Sequence, residues 1–145
     1  MRSAYRGIAH AISACVVLQA TWIALAWFTV LKDTDDGKTF TKDSDPNVGH
    51  VLHSIFGMGV LPLLGIALLI VSFFVKAPGA VKWAGFTLLA IVVQIVLAFI
   101  AFGVPAIGAL HGINAFIVIG IAEMTARRVD AASPAVTGES ATATV

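Results

Sequence analysis

The sequence has few charged residues and a single cysteine. Only 12% of its 145 residues are Asp, Glu, Lys or Arg, whereas 59% are hydrophobic. A soluble domain of this length could not hide so much apolar surface, because the fraction of surface that folding buries is limited by chain length. With one cysteine, Cys15, no intramolecular disulfide can form. A net charge of only +1 gives no reason to expect a nucleic-acid partner.

Side-chain combinations that carry most enzyme chemistry are also missing. The sequence contains no phosphate-binding glycine loop, no zinc-ligand spacing and no nucleophile with an accompanying base. Its three long apolar runs contain no Asp or Glu, which argues against a transporter driven by ions or protons. We therefore expect a protein without catalytic activity of its own.

Long uncharged apolar runs are what the sequence does have. Residues 7–31, 48–75 and 83–122 contain no charged side chain. A helix needs about 20 apolar residues to cross a bilayer, so the first two runs each predict one span. The third would be about 60 Å long as a single helix, and the turn residues of the segment 103–108 predict a break in it. The fold class predicted is an all-α, four-helix transmembrane bundle, with helices over about 7–31, 48–75, 83–103 and 106–126.

The Lys and Arg residues predict how the bundle is oriented. The side that holds both termini and the connection between helices 2 and 3 carries six basic residues, and the other side carries three together with five Asp residues. Because the cytoplasmic side is the richer in Lys and Arg, both termini are expected in the cytoplasm, with the protein in a bacterial cytoplasmic membrane. The apolar run 7–31 is too long for a signal peptide and lacks a clean cleavage site, so we expect a retained helix.

The chain is expected to form one membrane domain followed by a tail. Residues 1–128 contain the four helices. Residues 129–145 are rich in Ala, Ser, Thr, Pro and Gly, and such a segment has too little apolar surface to bury. It is predicted to be disordered.

Two histidines lie at the same predicted depth in different spans. His53 is about five residues into helix 2 and His111 about five into helix 4, and both helices begin on the same side, so each lies roughly 8 Å below that boundary. Imidazole is costly in hydrocarbon, so such residues indicate a functional site. Two facing imidazoles can hold a haem iron from both sides, and His53 and His111 are predicted as its axial ligands. A hydrogen bond between helices, a quinone-binding role and simple packing are the alternatives.

Small and polar residues near this pair extend the predicted site. Gly57 and Gly112 are expected to let a flat macrocycle approach the helix backbone. Asn114 is one turn from His111 and is expected to orient its ring or an edge of the cofactor.

The other two histidines, His50 and His10, lie at different levels from this pair. His50 is one turn from His53 on the same helical face and nearer the headgroups. Exposure there costs little, although His50 could also contact the cofactor or replace His53 as its ligand. His10 lies at the cytoplasmic end of helix 1 and is not expected to take part.

A weak internal repeat relates helices 1 and 2 to helices 3 and 4. Helix 1 contains VVLQ, ending in Gln19, and helix 3 contains IVVQ, ending in Gln94. The helix that follows each has a histidine with a small residue four positions later. This pattern favours two pseudo-equivalent hairpins related by an axis along the membrane normal, with chance similarity of apolar helices as the alternative.

These motifs resemble those of known membrane proteins. The segments VVLQATWIAL, HVLHSIFGMGVLPLLGIALLI and VVQIVLAFIAFGVPAIGALHGINAFIVIGIA look like a family of small four-helix bacterial membrane proteins known only as a domain of unknown function. The resemblance covers about residues 8–128 and implies four helices but no activity. A more distant similarity is to one half of haem A synthase, whose second and fourth helices place histidines around a haem. It supports haem binding but not haem A synthesis.

The sequence therefore predicts an integral membrane protein that binds one haem b between two histidines. Its expected function is electron transfer or haem handling, or it is a small subunit of a respiratory complex. The alternative is a cofactor-free accessory or assembly subunit, or a protein that binds quinone or lipid. The expected partners are the lipid bilayer and either a membrane complex or further copies of the chain.

Overall fold

The computed structural model of the chain describes residues 1–130, which form four long helices. Within that range there is no β-strand. The helices are α1 (Arg2–Asp35), α2 (Val48–Ser72), α3 (Ala80–Gly103) and α4 (Ile107–Asp130). Each is long and apolar enough to cross a bilayer. The chain is therefore a multi-pass membrane protein, and the predicted all-α four-helix bundle is confirmed.

The ends of the helices differ from the ends of the apolar runs. α1 begins at Arg2 and continues to Asp35, a few residues beyond the predicted 7–31 at both ends. The extension is polar, and Lys32 pairs with Asp36 at 2.5 Å across one helical turn. An apolar run predicts the part of a helix that lies in the membrane, whereas the helix itself continues into water.

The start of the predicted tail is helical. α4 runs to Asp130, so residues 129 and 130 continue the last helix. The remainder of the predicted tail, 131–145, lies outside the described residues.

The helices pack as a square. α1 packs on α2 and on α4, and α3 packs on the same two helices. α2 and α4 are therefore diagonal neighbours across the middle of the bundle, as are α1 and α3. We call the end with the 36–47 connection and the α3–α4 turn the loop end, and the other the terminal end.

α2 contains a π-helical turn over Phe56–Val60. The backbone N–H of Leu61 bonds to the carbonyl of Phe56, five residues back instead of four. Pro62 follows directly, and its missing N–H leaves one carbonyl of the preceding turn without its usual donor. The widened turn therefore directly precedes Pro62. Such turns occur frequently at functional sites.

Packing is tight at the terminal end. The Tyr5 hydroxyl, which is fully buried, donates to the carbonyl of Ala80 at 2.8 Å. Thr87 and Thr125, also fully buried, are joined at 3.1 Å and tie α3 to α4. This end holds the largest buried side chains of the core, among them Ile12 and Leu68.

Fewer residues are buried at the loop end. α3 has no buried residue after Ile91, and α4 has none before Asn114. In α2 none is buried between Gly49 and Leu61. The half of the bundle that contains the histidine pair is therefore the half with fewer buried residues.

One close contact holds α1 to α2 at that end. A Cβ at Gly49 would lie 2.6 Å from the backbone N of Ala26 and 2.6 Å from the carbonyl of Trp22. Asn47 caps α2, and its Nδ2 donates to the carbonyl of Ala26 at 2.8 Å. These two contacts join α1 to α2 within the first hairpin.

Candidate functional site

His53 is held by the helix before it in the chain. Its Nδ1 lies 3.1 Å from the backbone carbonyl oxygen of Gln19 on α1. A carbonyl oxygen only accepts, so Nδ1 carries the hydrogen and donates it. In the neutral ring Nε2 then has a free lone pair. Nε2 of His53 has no hydrogen-bond partner among residues 1–130.

His111 makes the same contact in the second hairpin. Its Nδ1 lies 2.9 Å from the backbone carbonyl oxygen of Gln94 on α3. The donor and acceptor roles are those of His53, so the lone pair again belongs to Nε2. Each hairpin thus joins the histidine of its second helix to the backbone carbonyl of the glutamine in its first, and the two contacts are equivalent.

The two imidazoles lie near each other across the bundle. Their ring centroids are 6.4 Å apart, and the ring planes make an angle of 63°. A nitrogen lies about 1.1 Å from the centroid of its ring and a metal–histidine bond is about 2 Å long, so two imidazoles on opposite sides of one ion have centroids about 6.3 Å apart. The observed centroid separation of 6.4 Å is close to that distance.

The side chain of Gln94 makes a second contact with His111. Its Nε2 lies 3.2 Å from Nε2 of the imidazole, and its Oε1 accepts from Nδ2 of Asn114 at 2.7 Å. Nδ2 of Asn114 also donates to the carbonyl of Ala90 at 3.0 Å. An amide nitrogen only donates, so Nδ2 of Asn114 uses one hydrogen on Ala90 and the other on Gln94. The amide nitrogen of Gln94 likewise donates to His111.

The contact between Gln94 and His111 was not predicted. From the sequence Asn114 was expected to orient His111 itself, and it acts on His111 through Gln94 instead. The spacing of His111 and Asn114 could have indicated this contact. The two residues are one turn apart on α4, so they face the same neighbouring helix and can contact one residue there.

Gln19 differs from its counterpart. It is 6% exposed, yet its Nε2 and Oε1 have no hydrogen-bond partner among the described residues. Its amide lies against Gly57, where a Cβ would be 2.8 Å from Nε2. The position that corresponds to Asn114, three residues after the histidine, is Phe56 in the first hairpin. No amide is available there to hold Gln19, so it does not turn towards His53.

The other predicted site residues lie further from the pair. His50 faces the 36–47 connection, where its ring packs edge-on against Trp27 with centroids 5.6 Å apart. It lines a cavity of about 220 Å³ together with Phe40 and Asp45. Gly112 is exposed, and a Cβ there would meet no atom within 4 Å. Of the two glycines predicted for the site, the structure brings only Gly57 into contact with one of its polar residues.

His10 lies at the terminal end, as expected. Its Nδ1 is 3.1 Å from Oε1 of Glu123, so the two residues join α1 to α4. Within residues 1–130 no group of three or more His, Cys, Asp or Glu side chains could hold a metal ion by itself.

The fold and the site define a four-span membrane bundle with paired histidines within the membrane. Comparison of the chain with known protein families, with curated proteins and with solved structures finds no significant match. The resemblance to the family of unknown function and to one half of haem A synthase remains a prediction from the motifs.

Proposed function

We propose that the protein binds one b-type haem between α2 and α4, with His53 and His111 as axial ligands. The observation that carries the proposal is the centroid separation of 6.4 Å, together with the hydrogen bonds that leave the lone pair of each ring on Nε2. Two imidazoles placed in this way fit the two open positions of a haem iron.

The packing of the bundle supports the same proposal. A macrocycle is flat and largely apolar, and it needs space between helices that side chains have not filled. At the loop end α3 after Ile91 and α4 before Asn114 have no buried residue, so their side chains are accessible to such a group. Apolar surface of the cofactor and of these helices would then be buried together, at roughly 25 cal/mol per Å².

The backbone carbonyls of Gln19 and Gln94 have a defined part in this site. Each accepts the Nδ1 hydrogen of one histidine, which fixes the tautomer and the ring orientation and makes Nε2 the stronger donor to a metal. A bound haem would supply reversible one-electron chemistry. The protein would then work in electron transfer, in haem handling, or as a small subunit of a respiratory complex, and a homo-oligomer is the other partner proposed.

The orientation proposed for the bundle places the histidine pair near the outer face of a bacterial cytoplasmic membrane. Both termini are then cytoplasmic. The support is the excess of Lys and Arg at the terminal end, six residues against three at the loop end.

A second candidate is a cofactor-free accessory or assembly subunit, or a protein that binds quinone or lipid. One observation favours it. Nε2 of His111 already accepts a hydrogen from Gln94, so this histidine is satisfied within the protein. In this second candidate function, each histidine only joins the two helices of its own hairpin.

An optical spectrum distinguishes the two candidates. The full chain is purified in detergent from cells supplied with a haem precursor, and the reduced-minus-oxidised difference spectrum is recorded. We expect the sharp bands of a six-coordinate low-spin haem. His53→Ala and His111→Ala should each abolish or convert this spectrum, whereas His10→Ala is the control and should retain it. A colourless protein would exclude the haem and leave the accessory role.

A further inference from the structure

His53 and His111 are not equivalent, because the side chains of Gln19 and Gln94 are placed differently towards them. We infer that Gln94 competes with the haem iron for Nε2 of His111, so that His53 is the constant ligand and His111 the exchangeable one. This inference rests on the proposed haem site. It makes Gln94 a positioning residue that sets how fully the second axial bond forms.

The competition follows from the single lone pair of the ring. Nδ1 of His111 donates to the carbonyl of Gln94 at 2.9 Å, so the only lone pair is on Nε2. The side-chain amide of Gln94 donates to that lone pair at 3.2 Å. One lone pair cannot accept this hydrogen and bind a metal at the same time. A metal bond to His111 therefore requires the Gln94 amide to move away.

Asn114 holds Gln94 in the competing position. Nδ2 of Asn114 is anchored on the carbonyl of Ala90 at 3.0 Å and donates to Oε1 of Gln94 at 2.7 Å. Asn114 is 7% exposed, so water does not readily replace it as a donor. The amide of Gln94 is thereby kept turned with its Nε2 towards His111.

The first hairpin has no such competitor. Nε2 of His53 has no hydrogen-bond partner among residues 1–130, and the amide of Gln19 lies against Gly57. Phe56 occupies the position that corresponds to Asn114 and offers no hydrogen-bonding group to hold Gln19. His53 is therefore free to bind iron without breaking a bond inside the protein.

The expected consequence is a mixture of two ligation states. A bound haem iron would be held by His53 alone in one state, which would be five-coordinate, and by both histidines in the other, which would be six-coordinate. A single hydrogen bond in a protein shifts such an equilibrium by about five-fold. Removing the Gln94 donor should raise the ratio of six-coordinate to five-coordinate protein by about that factor.

The test compares Gln94→Leu with Gln19→Leu, its matched control in the other hairpin. The purified full-length proteins are loaded with ferric protoporphyrin, and the high-spin and low-spin fractions are measured by absorption and electron paramagnetic resonance. Gln94→Leu should increase the low-spin fraction, and this increase should exceed any change in Gln19→Leu, whose side-chain amide has no hydrogen-bond partner within residues 1–130. Asn114→Leu should shift it in the same direction as Gln94→Leu but less, and it keeps the test usable if Gln94→Leu does not fold.

The outcomes separate this inference from the function on which it rests. Equal low-spin fractions in the parent, Gln94→Leu and Asn114→Leu proteins would overturn the competition while leaving haem binding intact. A low-spin fraction that rises equally in Gln19→Leu would also overturn it, because the effect would not depend on the contact with His111. Failure of every variant and of the parent to bind the porphyrin would overturn the proposed function, and the role of Gln94 towards iron with it.

Discussion

Gly57 lies directly against the side-chain amide of Gln19, where a Cβ would be only 2.8 Å from Nε2. Gln19 in turn lies under His53, whose ring is bonded to its backbone carbonyl. The corresponding position in α4 is Ala115. A glycine is therefore needed in the first hairpin because the unpartnered amide lies across α2, whereas Gln94 turns towards His111 and leaves room for a methyl group.

Gly57→Ala should destabilise the bundle, by about 1–2 kcal/mol, because the new methyl group must displace a buried side chain. The loss should be smaller when Gln19 is first replaced by Ala, since the clash is with the side chain. The measurement is the apparent melting temperature of the four proteins in detergent. Gly59→Ala is the control, because a Cβ there meets nothing within 4 Å. Additive effects of the changes at 57 and 19 would contradict the contact.

Replacing the two glutamines by leucine should change the stability of the haem-free protein in opposite directions. Gln19→Leu removes a buried amide that has no partner within residues 1–130, and should raise the free energy of unfolding by about 1 kcal/mol. Gln94→Leu removes the partner of both His111 and Asn114 and should lower it by about 1–2 kcal/mol. Unfolding in detergent measures both. A loss of stability in Gln19→Leu would mean that its amide has a bound partner.

Gly49→Ala should be among the most damaging small substitutions in the chain. Its Cβ would meet the backbone of α1 at 2.6 Å, at the N of Ala26 and the carbonyl of Trp22. Backbone cannot rotate away as a side chain can, so α1 and α2 would have to separate, at a cost of about 2–3 kcal/mol. Gly112→Ala, on an exposed face, should be neutral or slightly stabilising because alanine favours helix. Comparable melting temperatures for the two variants would argue against close packing of α1 on α2.

The orientation predicts where fused reporters work. A reporter that is active only in the cytoplasm should function when joined after Val145 and fail when inserted into the 36–47 connection. The physical reason is that segments rich in Lys and Arg stay on the cytoplasmic side. The reverse pattern would place the histidine pair near the cytoplasmic face and leave the ligand chemistry unchanged.

Much of the architecture follows from local properties of the sequence. The length of an uncharged apolar run decides whether a segment crosses the membrane, and the rise of a helix decides how deep a residue lies in it. The number of spans and the matched depth of His53 and His111 needed nothing else. Helix ends were less accurate, because Arg2 and Asp35 extend α1 through polar turns that hydrophobicity does not register.

Only the tertiary structure decided which side chains meet. The arrangement of α2 and α4 as diagonal neighbours depends on how the helices pack. The direction in which an amide turns depends on the rotation of its helix and on the residue that the neighbouring helix presents. Gln19 and Gln94 look alike in the sequence, but Asn114 holds one and Phe56 stands in the matching place for the other. A hydrogen bond between helices joins atoms about 3 Å apart. Such a bond can be identified only when the relative positions of the helices are known. The sequence determined that His53 and His111 lie near the same end of two spans. The packing determined that, within residues 1–130, Nε2 of His111 has a hydrogen-bond partner and Nε2 of His53 has none.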